Sequence, residues 1–334
     1  MDAGEDDAPP RRRRIGRGWR NALIGVAAAS VLLSLVNASW IAAQPPGRLI
    51  VVARRGVTQQ FAPGSGCETK RMRADPENVY VEDTLPAIYK AARLGADAIE
   101  IDVQASADGQ AMVFRDADLG CRTNGEGPLR ARTLAELKRL DVAWGYSPDG
   151  GRTFPLRGRG IGAMPTVEEV LREVPRSELI FRFVRADPAE ADALVAALKR
   201  AGAATPERFG FEGPPAVTAR VRQLVPGAWT FAPRPDGACL ADYVRLGWTS
   251  WVPASCRGAT VAITLADRWK LWGWPYRFLD RLAGAEAKPM MFGEEKDGAL
   301  VGITDVAQYD KVPAGFRGHL FVEDFYTVGA ALRR

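Results

Sequence analysis

The chain has 334 residues, 47% hydrophobic and 25% charged, which is enough to bury a full core as one large domain or two ordinary ones and excludes a disordered chain. The formal net charge is +5, but Arg11 to Arg14, Arg17 and Arg20 supply the excess ahead of an apolar run, and the rest is close to neutral. No run of Lys and Arg interleaved with aromatics follows residue 50, so nucleic acid is not an expected partner.

From Asn21 to Ala43 there are 23 residues without a charge, and at about 1.5 Å per residue in a helix they span the roughly 30 Å hydrocarbon core of a bilayer. The arginines before this run and the single Arg48 soon after it orient residues 1–20 as a basic cytoplasmic segment, with 21–43 a transmembrane anchor. The linker 44–48 and the domain 49–334 then lie on the periplasmic or extracellular side of the cytoplasmic membrane. Trp19 and Trp40 stand where interfacial aromatics would. The alternative is a cleavable signal peptide, with the small residues around Ala38 and Ala43 suiting a peptidase and a secreted product.

Beyond Gln44-Pro45-Pro46-Gly47, strand-like and helix-like segments alternate, as in a parallel α/β domain. Strands are predicted at 49–53, 98–103 and 111–114, with an amphipathic helix at 84–94. Residues 115–163, rich in Gly and Arg, read as an insertion with one helix at 134–140. Thr166 is a predicted cap for a helix over 166–174, with Glu168 and Glu169 in its first turn. A strand at 179–184 precedes a helix entered through Asp187-Pro188. Shorter strands are expected at 208–211, 228–231, 250–252, 260–264, 288–292 and 318–322. This interleaving fits a TIM-type (β/α)8 barrel preceded by one N-terminal transmembrane helix; no G-x-G-x-x-G follows the first strand, which disfavours a dinucleotide fold.

The four cysteines, Cys67, Cys121, Cys239 and Cys256, fit an oxidising compartment and show no C-x-x-C spacing. Chain order pairs Cys67 with Cys121 and Cys239 with Cys256, against the alternative of buried free thiols. The segment Arg268 to Pro275, with Trp269, Trp272 and Trp274, reads as packing between elements, with a lid or lipid-facing loop as the alternative.

In such a barrel the active site lies at the C-terminal ends of the strands. There the chain places Arg54-Arg55-Gly56, Glu82-Asp83-Thr84, Glu100-Ile101-Asp102 and Arg115-Asp116. The two-residue period of a strand turns Glu100 and Asp102 to one side, where they need a hard divalent cation or arginine partners. With Ala107-Asp108-Gly109-Gln110, Cys121-Arg122-Thr123-Asn124-Gly125, Arg132 to Leu137 and Met164 to Leu171, these motifs resemble the glycerophosphodiester phosphodiesterase family, whose HRG, ENT, E-x-D and HD motifs run in this order.

The resemblance implies a phosphoric diester hydrolase scaffold, with glycerophosphodiesters or phospholipid headgroups as ligands, and the uncharged run 21–43 makes it a membrane-anchored one. It also implies a divalent metal, Mg2+ or Ca2+, on Glu82, Glu100 and Asp102. The departures fall on the chemistry. Arg54 and Arg115 stand where the family has its acid and base histidines, and a guanidinium has no proton to exchange at neutral pH. Arg55 is a candidate phosphate contact, and Arg182 brings a further cation to the metal position. The expectation is therefore weak or lost hydrolysis, with the metal site turned into arginine-carboxylate pairs and no metal needed. The alternative functional reading is a pseudoenzyme that binds phosphate headgroups or a partner protein at the barrel mouth. The single histidine, His319, is expected to be structural, at the start of the last strand and opposite the active face.

Overall fold

The computed structural model describes residues 16–203, 208–232, 237–296 and 298–332. Most of the predicted basic segment 1–20, including Arg11 to Arg14, lies outside the described residues. In chain order the main elements are α1 (Arg17–Val36), β1 (Leu49–Arg54), α2 (Leu85–Leu94), β2 (Ala98–Ala105), β3 (Ala111–Val113), α3 (Leu134–Leu137) and α4 (Val167–Glu173). There follow β4 (Glu178–Phe183), α5 (Ala189–Arg200), β5 (Phe209–Glu212), α6 (Pro215–Leu224), β6 (Trp229–Phe231), α7 (Ala238–Leu246) and β7 (Thr260–Thr264). The last are α8 (Tyr276–Gly284), β8 (Lys288–Phe292), β9 (Glu294–Lys296), β10 (Ala299–Val301), α9 (Val306–Tyr309), β11 (Gly318–Val322) and α10 (Phe325–Ala331).

Eight of these strands form a parallel, nearly closed barrel in the order β6-β5-β4-β2-β1-β11-β8-β7. The seam between β6 and β7 has no backbone ladder; the Trp229 indole N–H donates to Thr260 Oγ1 across it at 2.9 Å. This is the predicted TIM-type barrel. Both strand faces are covered, so the strands read as near-continuous apolar runs. On β2, Ile99, Ile101 and Val103 point outward into a cluster with Ile88, Val167 and Val170 of the helices. The alternate residues point inward and stack in layers. Val52, Ala98, Ile180, Met290 and Phe321 plug the barrel centre. The registers Arg54 with Glu100 and Asp102 with Arg182 place a charged layer directly above that plug, and Arg182 is in turn opposite Glu212.

Several details differ from the sequence reading. Residues 111–114 do not supply a barrel strand: β3 runs antiparallel to β2, because the tight turn through Gly109, at φ 73°, folds the chain straight back. Residues 250–252 form no strand; Ser250 sits at φ 71° between two short 3-10 turns. The apolar helix stops at Val36, short of Ala43, where the Asn37 amide group turns back to donate to the Leu33 carbonyl. The insertion 115–163 carries its own small core, in which Leu119, Leu129, Leu137, Val142 and Tyr146 pack on Met112 and Phe114. Thr133 and Thr166 each close a capping box, with Glu136 and Glu169, worth about 1 kcal/mol per cap. Pro188 is the residue that precedes α5 rather than its first helical residue.

Both predicted disulfides are present, Cys67 to Cys121 and Cys239 to Cys256. The first ties together two loops on the mouth side of the barrel. Of the tryptophans in 268–275, Trp274 packs on Phe278, while Trp269 and Trp272 are exposed rather than buried in the core.

Candidate functional site

The barrel mouth opens into a cavity of about 560 Å3 lined by Arg54, Arg55, Glu68, Glu82, Arg115, Arg182 and Glu323, with the β9–β10 hairpin along one side. Backbone geometry sets the first of these. Arg55 and Asp83 both adopt left-handed conformations, at φ 57° and 58°, each costing about 1–3 kcal/mol in a non-glycine residue. They are held there by each other: the Asp83 amide donates to the Arg55 carbonyl at 3.0 Å, and the Arg55 amide donates to the Glu100 carbonyl at 2.7 Å. Gly56 follows at φ 77°, and a Cβ there would lie 2.7 Å from the Ala87 carbonyl carbon, so only glycine lets α2 approach this turn.

The strand-end acids are fully buried and paired with arginine. Arg54 Nε donates to Glu100 at 3.2 Å, and Arg54 Nη1 donates to Glu323 at 3.0 Å and to the Leu300 carbonyl at 2.9 Å. Arg182 Nε is hydrogen-bonded to Asp102 and lies 3.6 Å from Glu100. Arg55 pairs with Glu323. Glu100 and Asp102 do not line the cavity, whereas Arg54 and Arg182 do. The two terminal nitrogens of Arg182 and Nη2 of Arg54 have no acceptor among the described residues. Glu82 and Arg115 are not part of this group. Glu82 is taken up by Arg122, whose guanidinium also meets Glu68, Asp116 and the Tyr146 hydroxyl, and Arg115 pairs with Glu68 at 2.5 Å.

The predicted metal set Glu82, Glu100 and Asp102 is thus split between two arginine clusters. Among the described residues no three His, Cys, Asp or Glu side chains are grouped so as to hold a metal ion. Arg54 and Arg182 face the strand acids as expected; Arg115 faces Glu68 instead. Sequence reasoning missed Glu323, Glu212, Glu68 and Arg122 as members. Glu323 and Glu212 carry the same signal that singled out Glu100, a carboxylate at the C-terminal end of a barrel strand. Arg122 sits in a recognised motif, and Glu68 is adjacent to a disulfide cysteine.

The electrostatics follow from this pairing. Burial works against the Glu323 charge, but Arg54 and Arg55 outweigh it and hold the carboxyl down at about 2. For Asp102, burial is likewise offset by Arg182 and then Arg55, leaving the carboxyl below its ordinary range. Glu212 has the opposite balance: burial and the neighbouring Glu100 push it up to about 8, so it is protonated at neutral pH. Burial and the nearby Asp102 also push Asp83 well above the usual carboxyl range. Burial, with Arg55 and Arg122 nearby, lowers Arg115. His319 lies at the other end of the barrel, where burial, Lys288 and Arg48 hold it down at about 4. Its ring packs against Trp229 in a tilted contact, centroids 4.6 Å apart and planes at 36°, as a structural residue would.

Residues 64–189 match the model of the glycerophosphoryl diester phosphodiesterase family. The whole fold is similar to the solved glycerophosphoryl diester phosphodiesterase domain of the uncharacterized protein Rv2277c from Mycobacterium tuberculosis, at a TM-score of 0.61 and 18% identity over 86% of this chain and 100% of that one. The chain carries a domain of this family. A phosphodiesterase of Oleispira antarctica, solved in complex with the product sn-glycerol-3-phosphate, is also similar in fold, at a TM-score of 0.56 and 19% identity over 85% of this chain and 96% of that one. In sequence, Rv2277c is 31% identical over 127 residues, 37% of this chain and 42% of that protein. The glycerophosphodiester phosphodiesterase of Caldanaerobacter subterraneus is 46% identical over 70 residues, 21% of this chain and 28% of that enzyme. The chain thus spans less than half the length of the curated relatives it matches. The matched region of the glycerophosphoryl diester phosphodiesterase domain includes Glu82, Glu100, Asp102, Arg115 and Arg182, while Arg54, Arg55 and Glu323 lie outside it.

Proposed function

We propose that the barrel mouth is a receptor for phosphate esters of glycerol, free or as lipid headgroups, that does not turn them over as the family does. One observation carries this reading: the guanidinium groups of Arg54 and Arg182 are paired with Glu100 and Asp102 and themselves line the cavity from which those carboxylates are withdrawn. A divalent metal does not fit this arrangement. Its carboxylate ligands are already paired with arginine, and the guanidinium groups beside them would repel it.

The proton chemistry points the same way. Splitting a phosphodiester needs one group to take a proton from the attacking oxygen and another to give one to the leaving oxygen. Arg54 and Arg115 can do neither, and the cavity-lining Glu323 is held ionised far below neutral pH. Each missing acid or base typically costs about 10²–10⁴ in rate. What the mouth does offer is donors: Arg182 Nη1 and Nη2 and Arg54 Nη2 have no acceptor among the described residues, and a guanidinium is a planar fork matched to phosphate oxygens.

The apolar helix α1 makes this a membrane-anchored receptor in our reading, with the barrel on the periplasmic or extracellular side. Retention rather than cleavage is supported by Asn37 and Ser39, which lie ahead of a cut near Ala43 and are hydrogen-bonded to the barrel. The test is calorimetric titration of the full chain in detergent with sn-glycerol 3-phosphate and with glycerophosphocholine, in EDTA and in Mg2+. Binding that is indifferent to EDTA and lost in Arg182→Met is expected. Absence of binding in both conditions, or binding that requires Mg2+, would overturn the reading.

A further inference from the structure

The end of α1 is fastened to the outer wall of the barrel. Asn37 Nδ2 donates to the Trp248 carbonyl at 2.8 Å, and the Tyr276 amide donates to Ser39 Oγ at 2.9 Å. The buried Arg281 of α8 donates to Asn37 Oδ1 at 3.0 Å and to the Val36 carbonyl at 3.3 Å, so it caps the last turn of α1. Arg281 is held in turn by the Tyr243 hydroxyl, the Gly247 carbonyl and Ser250 Oγ, at 2.8, 3.1 and 2.9 Å.

This fastening has a geometric consequence. α1 has 20 residues, a window of mean hydropathy 1.6 and no buried residue; it is about 30 Å long, close to the thickness of a hydrocarbon core, and Arg17 and Arg20 in its first turn leave about 24 Å uncharged. An exposed apolar rod of that kind is covered by lipid. Because its last residue is bonded to α8, the edge of the hydrocarbon falls at the barrel wall and not at the far end of a tether.

That wall is where exposed apolar side chains concentrate. Outside residues 17–41, ten large hydrophobic residues are exposed among the described residues, and six of them are Val244, Leu246, Trp248, Trp251, Trp269 and Trp272. Hydrogen bonds tie two of them together and a third to the end of α1: the Trp272 indole donates to the Val244 carbonyl at 3.0 Å, and the Trp248 carbonyl is the acceptor for Asn37. Trp40, 78% exposed, lies in the turn that packs on α8. Arg245, Arg268 and Lys270 stand between the tryptophans, with the Arg268 guanidinium 4.9 Å from the Trp269 ring. Aromatic rings mixed with basic residues beside the end of a spanning helix are the composition of a membrane-water interface.

We propose that this wall, from α7 through residue 272 to α8, is a seat on the bilayer. Trp248, Trp251, Trp269 and Trp272 lie in the headgroup zone of the leaflet from which α1 emerges, and the barrel is held in one orientation. The proposal rests on the reading of α1 as a retained anchor.

The test uses the full chain in nanodiscs of phosphatidylcholine and phosphatidylglycerol whose acyl chains carry bromine near the headgroup, a short-range quencher of tryptophan emission. The chain has nine tryptophans. In the Trp19→Phe, Trp40→Phe variant seven remain, and four of these belong to the proposed seat, so about half of the remaining emission is expected to be quenched if those rings sit at interfacial depth. Adding Trp248→Phe, Trp251→Phe, Trp269→Phe and Trp272→Phe, all exposed positions, should remove the quenchable part. A parent that is quenched while the Trp19→Phe, Trp40→Phe variant is not would show an inserted anchor with a barrel held off the surface, and overturns the seat. A parent that neither is quenched nor stays with the discs overturns the anchor reading and the seat with it.

Discussion

Removing the charge of Arg182 while keeping its bulk, as in Arg182→Met, probes the arginine-for-metal exchange directly. Arg182 touches Asp102 and lies 3.6 Å from Glu100, and both carboxylates are wholly buried. Glu100 keeps Arg54 in the variant, but Asp102 loses the one direct ion-pair partner it has among the described residues. Stranding a buried charge typically costs about 3–5 kcal/mol, and because Arg182 itself is 24% exposed the lower end, ~3 kcal/mol, is the better figure. With a urea m-value of about 3 kcal/mol/M for a domain of this size, the midpoint should fall by about 1 M at pH 7. The pH dependence has a definite sign. In the parent, Asp102 is held below its ordinary range, so its contribution is complete at neutral pH and is lost only as pH falls through that depressed value. Without Arg182, burial pushes the carboxyl up, and protonation relieves the stranded charge. The gap between parent and variant should therefore be widest at pH 7 and close toward pH 4. Mg2+ or Ca2+ should stabilise the variant and leave the parent unchanged. Equal midpoints at pH 7, or a gap that widens in acid, would refute the reasoning.

Glu323→Gln removes the acid shared by Arg54 and Arg55. The parent should lose stability as pH falls from the ordinary glutamate range toward about 2, where Glu323 is finally protonated, and the variant should show a flatter acid limb when Tm is followed against pH. Glu212 has the opposite sign: its carboxyl is raised to about 8, so its stabilising protonated form is complete below the ordinary glutamate range and is lost as pH rises through 8. Glu212→Gln should match the parent at pH 5 and exceed it at pH 9 by roughly a few kcal/mol in urea unfolding. The disulfides close 54 and 17 residues of chain, so each is worth about 3–4 kcal/mol by loop-closure entropy, the longer one more. Cys67→Ser with Cys121→Ser should lower Tm further than Cys239→Ser with Cys256→Ser, because Glu68 and Arg122, adjacent to the first pair, also lose their alignment.

The barrel was legible because its strands alternate with helices and their boundaries carry local signals. The Thr166 cap and the strands at 260–264, 288–292 and 318–322 lie where the sequence placed them. Where the sequence reading fell short, a local pattern answers to tertiary context; 111–114 holds the predicted strand, but outside the barrel. Residues 111–114 are as apolar as a barrel strand, and only the turn at Gly109 sends them antiparallel. Residues 250–252 have strand composition, but the segment is shaped by the loop that receives the end of α1. At the mouth, strand period turned Glu100 and Asp102 to one side, and the family resemblance brought Arg54 and Arg182 to them. Arg122 with Glu82, and Glu323 with Arg55, followed from neither, because those pairs join loops and strand ends 40 and 268 residues apart in sequence. A buried arginine is recognised by its acids, and which acids those are is fixed only once the barrel closes.

In our proposal, arginine pairing has replaced metal-assisted acid-base chemistry at the barrel mouth. Glycerol 3-phosphate release from a mixed glycerophosphodiester panel tests it most directly, using the full chain with Mg2+, Ca2+ or EDTA beside the Arg54→His, Arg115→His variant. Background release is expected from the parent under every condition, with any recovered activity confined to the histidine variant. Metal-dependent turnover by the parent, abolished by Glu100→Ala, would contradict it.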